Sequence, residues 1–444
     1  MNLSGKILLF LRQNFSREKN ISTGTGWRKS FLKRCSYYDD LSIILIQLSS
    51  SYRTMKFSCQ TTDLLRALHL VTRAISNQQA LPILGNVLLE VEGKRCTISA
   101  TDLELSIVTQ FEANIENEGV ITIPAKAILN FAQYNSDAEV LLETSEGTQL
   151  KCTSKHAKTL IAGESASEYP TIAATKKEEN FTLDATPLLD ALHMVTFASA
   201  RSSLRPVLSG VYLRAEKGNL IFVATDSYRL SEYRIPLNSG NGDISCIIPT
   251  KVLEELKTIL GSYKEEGGGK EEKSGGDKGK KKQAANESVG VALSNQQIEV
   301  SVGDTRLLSR LIEGKFPDYQ QIIPKEAKTI VALSTKELLT VVKRMHYFAK
   351  ETNNNLTFQF SDNKVHIITP QTQIGRDEAT LETTLEGEQN KIALSSSYLL
   401  DFLSHVDDEQ VQAHVTDSMH PAVFRVPSNK QLLHLVMPLR LQEG

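Results

Sequence analysis

The chain holds only five cysteines in 444 residues, Cys35, Cys59, Cys96, Cys152 and Cys246, and they lie far apart. No CxxC pair and no Cys/His cluster occurs. That argues against both a zinc site and a disulfide framework, and it suits a reducing compartment. Long apolar runs are missing too. The longest, KILLFL and LSIILIQL, fall far short of the ~20 residues a spanning helix needs. Neither precedes a small-residue cleavage site of the signal-peptide kind. Nine histidines are scattered without an HExxH, so a metal ligand set is not expected. The GGGK at Gly267–Lys270 lacks both the GxxxxGK[ST] spacing and the preceding strand of a phosphate loop. These absences leave an expectation of a cytoplasmic protein with no cofactor, no metal and no membrane partner.

What is present is repetition. LLRALHLVTRA, from Leu64, returns as LLDALHMVTFA from Leu188, an interval of 124 residues. The flanks agree: LPILGNVLLEVEGKRCTISATD from Leu81 aligns without a gap to RPVLSGVYLRAEKGNLIFVATD from Arg205. ITIPAKAIL around Pro124 is answered by CIIPTKVLE around Pro249. A fainter third copy has IVALSTKELLTVVKRMHYFAK from Ile330 as its opening and NKIALSSSYLLDFLSHV from Asn390 as its later helix. Self-similarity at a fixed period marks a chain built from equivalent modules. The interval to the third copy is longer by about the length of Lys264–Ser288, a Gly/Lys/Glu/Ser segment without apolar periodicity. Such a composition buries too little to order itself, so it reads as a surface insert in the second unit. Residues 1–54 carry nine basic residues against three acidic ones and none of the repeat. They read as a leader outside the repeat, either with a role of its own or, the preferred reading, reflecting a start codon placed too early.

Within each unit two helix signals each precede a run of strands. TTDLLRALHLVTRAIS has a Thr/Asp start and helical apolar spacing, and NVLLEVEGKRCTISATD alternates through a Gly-containing turn like a hairpin. Pro124 is expected in the first turn of the second helix. The fold class is α+β with antiparallel sheet. Charge is unevenly spread. Without residues 1–54 the body is −8, yet the six helix windows (62–76, 124–134, 187–201, 250–264, 335–350 and 396–406) sum to +5. Basic helices on an acidic body suit a surface facing a polyanion; the plain alternative is that Lys and Arg favour solvated helix faces.

The landmarks ALPILGN (Ala80–Asn86), ATDLEL (Ala100–Leu105), VATDSYRL (Val223–Leu230), VGDTRLLSRLIEGKFPDYQQIIPK (Val302–Lys325), SSYLLDFL (Ser396–Leu403) and VMPLRL (Val436–Leu441) resemble those of the bacterial sliding clamp family, the beta subunit of DNA polymerase III. The resemblance runs from Met55 to Leu441 in the family's order. It implies three similar clamp domains of paired helices plus antiparallel sheets, at 55–177, 178–326 and 327–444, and two chains closing head to tail into a homodimeric ring. Helices would line the hole and meet duplex DNA through phosphate contacts without base readout. The implied DNA-facing residues are Arg66, Arg73, Arg201, Arg205, Lys251, Lys343 and Arg344. The implied partners are double-stranded DNA, the DNA polymerase III catalytic subunit, the clamp loader and other replication and repair proteins, which would place the protein at the nucleoid.

The family also docks short peptide motifs between its second and third domains. Position by position, Leu208, Thr225, Ser227, Tyr228, Arg229 and Leu230 would form one wall. Pro317, Ile322, Met419, Pro421, Val436, Met437, Pro438, Leu439 and Arg440 would form the other. Apolar walls with methionine accept varied anchors. Ser227–Tyr228 stands where many relatives carry Gly-His, and Gln321 where an Arg is familiar. Ring closure would set Leu160 and Ile161 of one chain against the helix carrying Phe348 of the other.

Two other readings compete. An enzyme would need a polar constellation in one unit only. VATDSYRL offers a nucleophile, an acid and a cation, but SATDLELS at the equivalent place lacks Tyr and Arg. What recurs is Thr-Asp after a strand, as an Asx turn requires, so no catalytic residue is expected. A clamp-like paralogue acting as a scaffold without encircling DNA is the second alternative.

Overall fold

The repeated stripes become repeated helices. In α1 (Thr61–Val71) the buried side chains include Leu64, Ala67, Leu68 and Val71, with Thr61 and Leu70 besides, and in α3 (Ala185–Val195) they are Leu188, Ala191, Leu192 and Val195, each 124 residues on from one of the first four. The first helix of the third unit, α5 (Thr335–Ala349), buries Leu338, Val342, Met345 and Ala349, also one helical face. A stripe of this width holds one helix face on a sheet, and each fully buried aliphatic side chain contributes about 1.5–3 kcal/mol. α5 is also capped: Ser334 Oγ accepts the Glu337 N–H at 3.4 Å, satisfying one of the orphan donors of a helix start. The second helices are α2 (Ala125–Gln133), α4 (Thr250–Gly268) and α6 (Ser396–Leu403), packed against α1, α3 and α5 respectively.

The structure, a computed structural model, describes residues 54–76, 81–145, 148–173, 179–201, 204–237, 244–268 and 288–441, with backbone only at 179 and 264–268. The leader 1–54, apart from Thr54, lies outside the described residues, as do Gln442–Gly444 and residues 269–287 of the expected insert. That insert begins later than the composition suggests. α4 continues to Gly268, five residues into it, and the strand Ser288–Leu293 starts at its last residue. Pro124 also differs from expectation. It is the last residue of the strand Gly119–Pro124 and the N-cap of α2, with ψ 115°. Its pairing with Asn86 holds it extended, so the first helical turn begins one residue later.

Four sheets, antiparallel throughout, account for the described strands, and two of them cross unit boundaries. The strand Leu105–Glu112 of the first unit pairs with Thr305–Arg310 of the second, in a sheet of eight strands. Arg229–Pro236 of the second pairs with Asn429–Val436 of the third, in a sheet of nine. The two smaller sheets belong to single units. A five-stranded one ends at Lys158–Ala162 in the first unit, and a four-stranded one ends at Glu378–Glu382 in the third. One continuous apolar core, from Met55 to Val436, runs between helices and sheets through all three units. A second, smaller core around Leu230, Phe316, Tyr319 and Leu435 joins the second unit to the third.

Candidate functional site at the unit junctions

Both junctions start from the same turn. After the strand Arg95–Thr101, Thr101 Oγ1 accepts the Leu103 N–H at 3.0 Å and donates to the Leu105 carbonyl at 3.2 Å. Asp102 Oδ1 accepts the N–H groups of Glu104 at 3.1 Å and Leu105 at 2.8 Å. At 124 residues' remove Thr225 and Asp226 make the same four bonds, at 3.1, 2.6, 2.9 and 3.0 Å, with Ser227, Tyr228 and Arg229. The expected Asx turn is therefore present twice, and in both copies the carboxylate spends one oxygen on backbone donors. Its other oxygen is where the copies part.

At the first junction Asp102 Oδ2 receives Lys251 Nζ at 2.6 Å, from the start of α4 in the neighbouring unit. Around it, Arg73 pairs with Glu255 at 3.0 Å, and Arg66 lies over the Tyr263 ring at 5.1 Å. Buried beneath, Thr109 and Thr305 share a hydroxyl hydrogen bond of 2.9 Å, and Tyr263 OH lies 3.1 Å from Thr305 Oγ1. At the second junction Asp226 Oδ2 takes Arg229 Nε at 3.0 Å from within its own turn, and Arg229 reaches on to Asp401 of α6 at 2.6 Å. The guanidinium lies over the rings of Tyr398 at 4.9 Å and Phe197 at 5.7 Å. A histidine cluster packs behind it: His434, fully buried, has Nδ1 at 2.7 Å from Ser231 Oγ and stacks on Phe402 at 4.4 Å. His193 and His405 face each other at 4.6 Å. Burial pushes the His434 imidazole well below its usual range, with the Arg229 charge and His405 acting in the same direction. His193 is lowered as well, first by burial and then by His405.

The predicted peptide-pocket residues divide by exposure. A cleft of about 340 Å³ at the second junction is lined by Tyr228, Met437, Pro438, Leu439 and Arg440, all predicted, and by Thr352, Asn353, Asn355 and Tyr398, which sequence reasoning missed. Tyr228 is 61% exposed and stacks towards Tyr398 at 6.4 Å. Ser227 is exposed at its rim. Leu208, Thr225, Leu230, Pro421 and Val436 are buried and are not part of the cleft's lining. Arg229 is buried too, at 6% exposure, and serves as the strut between the turn and α6. Pro317, Ile322 and Met419 are exposed but outside this cleft's lining. Gln321 donates to Asp318 at 2.7 Å.

Of the predicted DNA-facing residues, Arg66, Arg73 and Lys251 are ranged along the seam between the first unit and α4, Arg73 on Glu255 and Lys251 on Asp102 in ion pairs and Arg66 over Tyr263. Arg344 is also paired, its fork on Asp377 at 2.9 and 3.0 Å. Arg201, Arg205 and Lys343 are exposed. Of the predicted ring contacts, Leu160 is 57% exposed on the edge strand, Ile161 is buried, and Phe348 is half-buried, edge-on to the exposed Tyr347. Burial pushes the thiols of Cys59, Cys152 and Cys246 up to about 12, so none is a nucleophile near neutral pH. Among the described residues no group of three or more His, Cys, Asp or Glu could hold a metal ion, and no helix is long and apolar enough to cross a membrane.

Sequence profiles of the DNA polymerase III beta subunit match in register: its N-terminal domain at residues 55–173, its central domain at 182–266 and its C-terminal domain at 320–440. The chain belongs to the DNA polymerase III beta subunit family. Its relatives include the beta sliding clamp of Synechocystis sp., 27% identical over 409 residues, which span 87% of this chain and all of the relative. The beta sliding clamp of Haemophilus influenzae is 28% identical over 389 residues, again 87% of this chain and all of the relative. Among solved structures, a sliding clamp (DNA polymerase III subunit beta) from Pseudomonas aeruginosa bound to griselimycin superposes with a TM-score of 0.77 at 26% identity, covering 87% of this chain and all of that one. Family membership fits the three-unit fold with paired helices and antiparallel sheets, and it favours a clamp over the enzyme reading.

Proposed function

We propose that this chain is a DNA sliding clamp. Two copies close head to tail around duplex DNA and tether the replicative polymerase, and the cleft at the second junction docks partner peptides. The observation that carries the proposal is the pattern of sheet edges. Inside the chain, units join strand to strand. At its two ends the strands Lys158–Ala162 and Glu378–Glu382 have no partner on one side among the described residues. An open edge is a template for another strand, and a second copy supplies one at each end. The edges are complementary: Lys158 and Leu160 on one, Glu378 and Glu382 on the other, with Tyr347 and Ile374 exposed on the third unit and Tyr134 on the first.

Three domains, 55–177, 178–326 and 327–444, then contribute three helix pairs per chain to the lining. Arg66, Arg73, Arg201, Arg205, Lys251, Lys343 and Arg344 meet phosphates there. Arg73, Lys251 and Arg344 exchange a protein carboxylate for a phosphate oxygen, and contacts of this kind hold the duplex without reading it. Retention comes from topology rather than affinity. The clamp supplies no catalytic step, loading is done by a separate ATP-driven machine, and the work is done in the cytoplasm at the nucleoid. The test is retention on nicked circular plasmid, loaded with the matching clamp loader and ATP, before and after linearisation. Retention on circles with loss from linear ends supports the clamp. Equal binding to both, or to neither, overturns it and favours the non-encircling scaffold.

A further inference from the structure

The first junction has a groove where the second has its cleft, and the two share one backbone. Met437 donates its N–H to the Tyr228 carbonyl at 2.8 Å; at the first junction Arg310 donates to the Glu104 carbonyl at 3.2 Å. Ser227 adopts φ 80°, and its counterpart Leu103 adopts φ 77°, a left-handed conformation that a non-glycine residue adopts only at a cost. Leu103 keeps it while remaining 44% exposed. The groove, of about 300 Å³, has Leu103, Leu308, Pro170 and Ile172 for its apolar wall.

We propose that this groove is a second docking site, taking an extended partner segment that carries a large apolar residue beside a carboxylate. The proposal rests on the reading of the second-junction cleft as a peptide dock. The choice of occupant comes from the side chains that differ. Where the second cleft presents Met437, the first presents Arg310, exposed and without an ion pair among the described residues. A fork of guanidinium donors beside an apolar wall fits a carboxylate next to an aliphatic anchor. Glu104, also exposed on the rim, repels that carboxylate and so fixes the direction in which the segment lies.

The test uses the full chain and two fluorescein-labelled hexapeptides, Ser-Asp-Leu-Leu-Ser-Ala and its Lys-for-Asp counterpart, read by polarisation. Arg310→Glu and Met437→Glu are compared with the unaltered chain, and an unchanged homodimer mass in analytical ultracentrifugation reports that the ring is intact in both variants. The expected result is binding of the Asp peptide that Arg310→Glu weakens about fivefold. The Lys peptide becomes the better ligand of that variant, and Met437→Glu leaves the Asp peptide's affinity at the groove unchanged. A photo-crosslinking version of the Asp peptide is expected to label the segment 101–106. Binding abolished by Met437→Glu and untouched by Arg310→Glu overturns the second dock while leaving the clamp and its first dock standing. Absence of binding to the unaltered chain also overturns it.

Discussion

The two junctions within the chain are alike in backbone and unlike in what fills them. Both begin with a Thr-Asp turn and both weld two units by an antiparallel strand pair. The first is then completed by hydroxyls and by an ion pair open to water, since the Lys251 side chain is 51% exposed. The second is completed by a buried arginine between two carboxylates and two rings, with an uncharged imidazole behind it. Duplication therefore preserved the hinge of each junction and left its adhesive free to change, so the two differ in strength and in what loosens them.

Arg229→Ala gives the sharpest contrast. It strands Asp226 in a half-buried site and removes the strut to α6. Breaking a buried pair costs about 3–5 kcal/mol, and the loss is expected in chemical unfolding as early release of the third unit. An equal effect from Lys251→Ala would erase the contrast. Acid comes next. His434 is neutral when folded and titrates near its ordinary 6.5 when unfolded, so the unfolded chain binds the extra proton. Its contribution is fully present above that value and is lost as pH falls from about 6.5 towards the lowered folded value. Hydrogen exchange at pH 5 should speed up in Arg229–Pro236 and Asn429–Val436 relative to Leu105–Glu112. His434→Asn, which keeps a partner for Ser231 but does not titrate, should remove that difference. Thr305→Val tests the hydroxyl weld: it leaves Thr109 buried with a missing partner, for about 1–2 kcal/mol in thermal unfolding. Lys251→Ala is expected to cost under about 1 kcal/mol, as exposed pairs do.

Much of this was legible in the sequence where the signal is local. The helix stripes at Leu64, Leu188 and Leu338 and the Thr-Asp turns are set by spacings of a few residues, and the interval of 124 carried one copy's reading to the next. What escaped is what depends on distant pairing. A period-2 strand declares its faces but not its neighbour, so nothing in Leu105–Glu112 announces Thr305–Arg310 some two hundred residues on. Lys251 and Arg73 declare a charge, but their partners Asp102 and Glu255 lie 149 and 182 residues away in sequence. The family resemblance alone places Arg229 in a wall; Asp401 and two aromatic rings draw its side chain inside. Asn353 and Tyr398 belong to the cleft only because the chain folds the end of α5 and the start of α6 beside the Tyr228 turn.

One consequence of those paired cations is thermodynamic. Binding to a polyanion is ordinarily driven by the salt ions it sets free, so affinity falls steeply as salt is added. Arg73, Lys251 and Arg344 are already paired with a neutralising charge fixed to the same chain, in Glu255, Asp102 and Asp377. Under the proposed DNA contacts, such a cation turning to a phosphate would leave a fixed anion behind and liberate less to solution than a bare lysine would. The plot of log affinity against log salt is accordingly expected to be shallow for this chain, and to steepen by about one unit of slope with Asp377→Asn, which frees one cation to count as a full phosphate contact. Under that proposal, a surface that gives up so little entropy on letting go would meet a low barrier from one phosphate to the next.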